Sequence, residues 1–310
     1  MCPHISIIIP IYGVERYIER CARSLFEQTF EDIEYIFVND CTKDASIEIL
    51  QSVIEDYPNR KSQIKILNHE TNKGLPQARK TGVIEAKGDY ILHCDSDDWL
   101  ELDMCEKLWK AVDQNSADVV ICDYYEDTGS ERKIKAIIED DRNSIFYNHF
   151  TCQRVCSVWN KLIKRSLYSE DIIYPVANMG EDFALIIQLF YKVKKVVYIH
   201  LPLYHYFINE NSITNAKSEQ CILNRYNQSV ANMNVILQFT DQKQISEKLQ
   251  KELDYIKFRK RDNILVLVEQ KKYWKIWINT FKEINIRVIF NPFISIRSKL
   301  KYIYMVLKGV

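Results

Sequence analysis

What most constrains the fold is an alternation: short apolar runs trade places with helical periodicity across roughly the first 120 residues. Ile5–Ile9, isoleucine at every position but Ser6, is closed by Pro10 and reads as a buried parallel strand. Glu15–Gln28 then has helical spacing. Tyr35–Val38 is a second apolar run ending in Asn39-Asp40, and Ala45–Tyr57 is helical with Asp44 placed to cap it. Ile64–Leu67, Pro76–Ala86, Tyr90–Cys94, Leu102–Asn115 and Val119–Cys122 continue as strand, helix, strand, helix and strand, with Gly88 closing the third helix. Parallel strands need crossover connections, and these helices supply them. The pattern predicts an α/β fold: a Rossmann-like, mostly parallel sheet flanked by helices, with right-handed crossovers.

After Asp123 the alternation stops. Ile134–Ile138 reads as a further strand, residues 158–168 and 181–192 as helices, and Lys195–Tyr206 as two short strands around Pro202. Residues 217–282 read as helices only. A boundary near 215 separates an α/β unit, 1–215 (in two halves, 1–123 and 124–215), from a helical C-terminal extension, 216–310.

In open α/β sheets ligands bind beyond the carboxyl ends of the strands. Three polar segments are expected to meet there: Pro10-Ile11-Tyr12, Asn39-Asp40 and Asp95-Ser96-Asp97-Asp98. Carboxylates packed this closely repel one another and raise their own pKa values unless a cation neutralises them. Asp95 and Asp97, two residues apart, can share a hard ion such as Mn2+ or Mg2+ with a substrate's phosphates. The plainer reading makes the run a polar turn, with Asp97 or Asp98 capping a helix that opens at Trp99-Leu100-Glu101. No Gly-x-Gly-x-x-Gly follows the first strand and no Gly-Lys-Ser/Thr loop occurs. Both omissions argue against a dinucleotide-binding enzyme or a P-loop ATPase.

Several segments, in order, resemble the signature of family 2 glycosyltransferases, inverting enzymes of the GT-A fold. They are Ser6–Tyr12, Val38–Asp44, Asn72–Arg79 and Gly88–Asp98, followed by Trp159-Asn160-Lys161-Leu162 and Gly180-Glu181-Asp182. The resemblance covers residues 5 to about 215 and makes 1–123 the nucleotide-sugar half and 124–215 the acceptor half. It implies that Pro10, Tyr12 and Asp40 line a nucleoside pocket, with Asp40 accepting a hydrogen bond from the base. Arg79 and Ser96 fall on the nucleotide side. Asp95 and Asp97 frame the metal, Asp97 being the direct ligand. Asp182 is the general base with Glu181 beside it, and Trp159, Asn160 and Lys161 face the acceptor. His205 is either structural or a late metal or diphosphate contact. Asn211-Ser212-Ile213-Thr214 lies where some relatives close a loop over the donor phosphates.

Each residue also has a plainer role open to it. Asp40–Asp44 reads equally as a turn and cap, Glu181-Asp182 as first-turn acids favoured by the helix dipole, and Trp159 as core. The sequence departs from the family in Gly13, where Asn is usual, and in Asn39-Asp40-Cys41-Thr42, where Asp-Asp-Gly-Ser is usual. Cys41 in place of Gly cannot adopt a positive φ easily. These changes bear on nucleotide preference. The resemblance implies a UDP-sugar donor and a glycan or lipid-linked acceptor in cell-surface polysaccharide synthesis. The rivals are a sugar nucleotidyltransferase, which wants a Gly-rich, Lys-bearing loop where Tyr12-Gly13-Val14-Glu15 stands, and a degenerate nucleotide-binding scaffold.

Net charge is zero but unevenly placed: residues 251–310 hold 14 Lys and Arg against 5 Asp and Glu, leaving 28 against 37 elsewhere. An acidic body with a basic tail points to an anionic surface, membrane before nucleic acid. Within 291–310, Ile296, Leu300, Ile303, Tyr304 and Leu307 fall at helical spacing among Arg297, Lys299, Lys301 and Lys308. That reads as a basic amphipathic helix on a leaflet, or as a terminal helix packed on the body. Nine scattered cysteines, with no Cys-x-x-Cys and no His/Cys pair near Cys152 and Cys156, suggest reduced thiols and a cytoplasmic location, peripheral to the inner membrane face if the tail binds lipid.

Overall fold

The computed structural model describes residues 3–136, 156–208, 218–267 and 271–308. The first strands are β1 (Ile5–Ile11), β2 (Ile33–Asn39), β3 (Ile64–Asn68) and β4 (Tyr90–His93), joined by helices α1 (Ile18–Phe26), α2 (Ser46–Glu55) and α3 (Leu75–Glu85). They pair in parallel in the order β3-β2-β1-β4. Successive residues of β1 point to opposite faces, so Ile5, Ile7 and Ile9 enter one core while Ile8 meets Ile36, Ala78 and Ile91 in another. A strand buried on both faces is apolar at consecutive positions, which explains Ile7–Ile9, while the buried Ser6 hydroxyl is satisfied by Glu34 Oε1 and the Gly88 amide. α3 lies directly on β1: a Cβ at Gly82 would fall 2.4 Å from Ile8 Cγ2, so only glycine admits this approach.

Beyond β4 the sheet becomes mixed. β5 (Trp99–Leu100), α4 (Met104–Asn115), β6 (Val119–Asp127), β7 (Arg132–Lys135), β8 (Lys161–Lys164), α5 (Glu181–Phe190) and β9 (Val196–Phe207) follow. The full order is β3-β2-β1-β4-β8-β6-β9-β5, with β7 against β6. β8 inserts antiparallel between β4 and β6. The α/β class and the extension agree with the sequence reading, and three details correct it. Trp99-Leu100 is a short strand on β9, and the next helix opens at Met104. Residues 161–164, expected to be helical, form β8. Val196–Phe207 is one strand that keeps pairing with β6 past Pro202 through a register shift at Cys122 to Tyr124.

The extension comprises α6 (Glu219–Asp241), α7 (Glu247–Arg261), α8 (Lys271–Asn279), α9 (Arg287–Phe290) and α10 (Ile296–Lys308). Ser218 and Ser246 cap α6 and α7, their hydroxyls accepting from the amides of Cys221 and Leu249 at 3.2 Å. α5 is apolar almost all round. Leu185, Ile186 and Leu189 face the sheet, while Ala184 and Ile187 pack on Met233, Ile236, Leu253 and Ile256 of the extension. The expected boundary near 215, the Asn211–Thr214 loop, Cys152 and the end of the Ile134–Ile138 run lie outside the described residues.

Candidate active site

The carboxyl ends of β1, β2 and β4 form one edge. The Asp40 amide donates to Ile11 O at 3.0 Å and the Cys94 amide to Ile8 O at 3.0 Å, fixing the three exits side by side. The loops after β1 and β2 are stitched together: the Gly13 amide donates to Thr42 Oγ1 and the Glu15 amide to Asp44 Oδ2, both at 2.9 Å. Cys41 has φ +59°, so the turn keeps the left-handed conformation without a glycine, at a strain cost of about 1 kcal/mol.

Arg79 organises the site. It projects from α3 and is 1 % exposed. Its Nε donates to Glu181 Oε1 at 2.8 Å, its Nη2 donates to Asp95 Oδ1 at 2.8 Å, and Nη2 lies 3.5 Å from Asp182 Oδ1. The acids after β4 and the acids opening α5 therefore share one guanidinium. Burial opposes a charge there, but Asp95, Glu181 and Asp182 together hold Arg79 firmly protonated. Behind it, His93 is pushed well down by burial and by Arg79, so it is neutral, and its Nε2 sits 3.2 Å from the Tyr168 hydroxyl. Gly180 takes φ +77° at the N-cap of α5 and turns the chain so that Glu181 and Asp182 start the helix.

The Asp95–Asp98 turn is closed by the Asp98 amide on Asp95 O at 3.0 Å, with Ser96 buried inside it. Asp98 caps no helix. Its Oδ2 accepts from the Tyr204 hydroxyl at 2.6 Å and its Oδ1 from the Phe207 amide at 2.7 Å, which straps β9 across the turn. The same Tyr204 oxygen accepts from the Asp95 amide at 3.1 Å. Arg20 holds the other side: its Nη2 donates to Asp97 O at 2.8 Å and its guanidinium lies 3.6 Å over the Trp99 ring. Burial and then the Asp95 charge raise the Asp97 carboxyl to about 6. Burial raises Asp95 and Glu181 too, against the pull of Arg79, and drives Asp98 well up.

An acidic site with one central guanidinium suits a hard cation. No group of three or more His, Cys, Asp or Glu among the described residues is arranged to hold a metal by itself. Asp95 and Asp97 fit an ion that completes its shell with phosphate and water, because such an ion would offset the burial and the Asp95 charge that raise Asp97.

The other expected site residues fall as follows. Pro10 is buried in β1, paired with Val38, and Tyr12 just beyond it is 56 % exposed. Asp40 is not free for a base as expected: its Oδ1 accepts from His69 Nδ1 and the Lys73 amide and its Oδ2 from the Gly74 amide, at 2.7–2.8 Å. His69 Nε2 in turn lies 2.9 Å from Thr81 Oγ1, so this buried cluster sets the turn into α3. Arg79 lies beneath the acids of both halves, not on the nucleotide side alone. Trp159 is no exposed platform; it is buried, stacked on Tyr204 and Tyr206 with centroids 4.4 and 5.5 Å apart. Asn160 and Lys161 are buried as well, Asn160 donating to Cys122 O at 3.0 Å and Lys161 Nζ to Ser157 O and Asn160 Oδ1 at 2.7 Å. His205 meets neither Asp95 nor Asp97: its ring is sandwiched between Trp99 and Tyr125, and its Nε2 meets Glu101 Oε1 at 2.8 Å. Sequence reasoning missed Tyr204 and Arg20. The alternation Tyr204-His205-Tyr206 carried the signal, since a strand puts both tyrosines on one face and the histidine on the other.

A sheet whose carboxyl edge carries this acid turn is the GT-A architecture. S. aureus TarS 1-349 in complex with UDP-GlcNAc shares it at TM-score 0.60 and 16% identity, over 98% of this chain and 90% of that one. So does the mannosyltransferase PcManGT from Pyrobaculum calidifontis, in complex with GDP-Man and Mn2+, at TM-score 0.58 and 12% identity, over 100% and 87%. Residues 6–189 match the family described as glycosyl transferase family 2, and the chain belongs to that family. The glycosyltransferase GlyA of Streptococcus pneumoniae serotype 4 is 33% identical over 229 residues, 70% of this chain but only 32% of GlyA. The chain thus spans about a third of that relative's length.

Proposed function

We propose that the chain is an inverting glycosyltransferase that moves a sugar from a nucleotide-sugar, a UDP-sugar first, to a hydroxyl of a glycan or lipid-linked acceptor in cell-surface polysaccharide synthesis. The observation that carries this reading is the bridge through Arg79, which brings Asp95 within reach of Glu181 and Asp182 at one sheet edge. The UDP-GlcNAc and the GDP-Man with Mn2+ of the two structural neighbours agree with it.

The exposed Tyr12 would offer its ring to the base, and the stitched loops after β1 and β2 would form the pocket wall. Asp97, with Asp95, would hold Mn2+ or Mg2+, which when bound neutralises charge on a departing diphosphate. Asp182 is one-quarter exposed beside the buried Glu181, so it is the acid open to an acceptor. A hydroxyl is a poor nucleophile near neutral pH, and Asp182 would take its proton as the oxygen attacks the anomeric carbon. The nucleoside diphosphate leaves from the opposite face, and configuration inverts in one displacement. Glu181 and Arg79 position Asp182. Trp159 and Lys161 would act from beneath the acceptor site. The reaction would take place on the cytoplasmic side of the membrane.

The test is a thermal-shift series with nucleoside diphosphates, each with and without Mn2+. A metal-dependent rise with UDP supports the reading, since ligand binding stabilises by mass action. A metal-dependent rise with GDP alone moves the donor. No rise with any nucleotide makes the chain a degenerate scaffold.

A further inference from the structure

α10 docks by one face and leaves an apolar face in water. Tyr302 is buried, Met305 and Val306 partly so, in the core of the extension. The Tyr302 hydroxyl donates to Asn285 O at 3.1 Å, and Trp274 Nε1 donates to Met305 O at 3.3 Å. At about 100° per residue these side chains share one side of the helix. The opposite side, an arc of roughly 100°, carries Ile296, Leu300, Ile303, Tyr304 and Leu307. These are 76, 62, 37, 59 and 72% exposed. A terminal helix that only packs on its body does the reverse, burying its apolar stripe and hydrating its charges. Folded proteins seldom leave a contiguous apolar stripe uncovered without a partner for it.

Charge identifies the partner. By the same helical geometry Arg297 and Lys301 border the stripe on one edge and Lys299 on the other, and Asn285 to Val310 contains no Asp or Glu. We propose that this face of α10 lies on an anionic membrane surface, with its apolar residues at the acyl boundary and its basic side chains among lipid phosphates. A second copy of the chain fits poorly, because a self-complementary pairing would set the same basic edges against each other. No helix among the described residues, α10 included, is long and apolar enough to cross a membrane. The inference stands apart from the sugar-transfer reading, because it concerns a surface and not the site.

The experiment is co-flotation of the full chain with phosphatidylcholine vesicles, with and without phosphatidylglycerol. The chain is expected to float only with the anionic vesicles, and less so as salt rises. Leu300→Gln with Leu307→Gln should abolish flotation while leaving Tm unchanged, because both side chains are exposed. Arg297→Gln with Lys301→Gln should weaken it roughly 30-fold, at about 1 kcal/mol per charge. Absence of flotation, equal flotation with neutral vesicles, or indifference to both pairs of substitutions overturns the proposal. So does a dimer in light scattering that the leucine pair dissolves, which would give the face to a second copy.

Discussion

Arg79 Nε donates to Glu181 Oε1 at 2.8 Å across 102 residues of sequence. The contact ties α3, which packs on β1, to the first turn of α5. The fork of one guanidinium also reaches Asp95, so the geometry of the acids on both sides of the site is set by a single side chain.

Arg79→Met is expected to leave buried acids without their cation and to cost roughly 3–5 kcal/mol, the scale for breaking a buried ion pair from one side. Urea denaturation measures it. Arg79→Lys should recover only part, because an ammonium cannot address both acids through a planar fork. A loss under about 1 kcal/mol for the methionine variant would show that the acids are neutral without help.

Asp97→Asn separates stability from function. Burial and Asp95 raise the Asp97 carboxyl from 3.8 to about 6, so the folded state holds this proton more tightly than the unfolded chain does. The penalty for ionising it is absent below pH 4, grows between the two values and is complete above 6. Free of metal, the variant should exceed the parent in stability by about 1–3 kcal/mol at pH 7.5, a gain that vanishes at pH 4. Melting curves at the two pH values check the sign, and destabilisation at pH 7.5 would contradict it. The metal-dependent response to UDP should disappear in the same variant.

Asp182→Asn should lower kcat by about 10²–10⁴, the range for loss of a general base, with the thermal response to nucleotide intact. Turnover of a donor with a competent acceptor reads the first and a melt the second. Undiminished turnover would remove Asp182 as the base.

Tyr204→Phe tests the strap without invoking any reaction. Its hydroxyl serves both Asp98 and the Asp95 amide in a buried setting. Removing it strands both groups at a cost of about 1–3 kcal/mol, measurable by chemical denaturation.

The sheet up to β4 was legible because one rule suffices there: a strand covered on both faces is apolar at consecutive positions, and Ile7–Ile9 and Tyr35–Val38 show it. β8 was not legible. It is four residues long and begins with Lys161, a buried amine that burial lowers to about 8 and that Ser157 O and Asn160 Oδ1 satisfy. No hydropathy pattern signals such a lysine. The placement of Asp95 and Asp97 at the sheet edge was readable from chain order. That Asp40 is consumed by His69, Lys73 and Gly74, and that Arg79 lies under both sets of acids, was not, since each depends on contacts between distant segments.

α5 has a further consequence. Its residues meet the sheet on one side and α6 and α7 on the other, and Lys260 of α7 lies 4.1 Å over the Phe183 ring, next to Asp182. Cutting the chain after β9 would lay bare Ala184 and Ile187 and release the helix that presents the acids. The two parts should therefore melt in one cooperative transition, and a fragment ending near residue 215 should be insoluble where the longer chain is not.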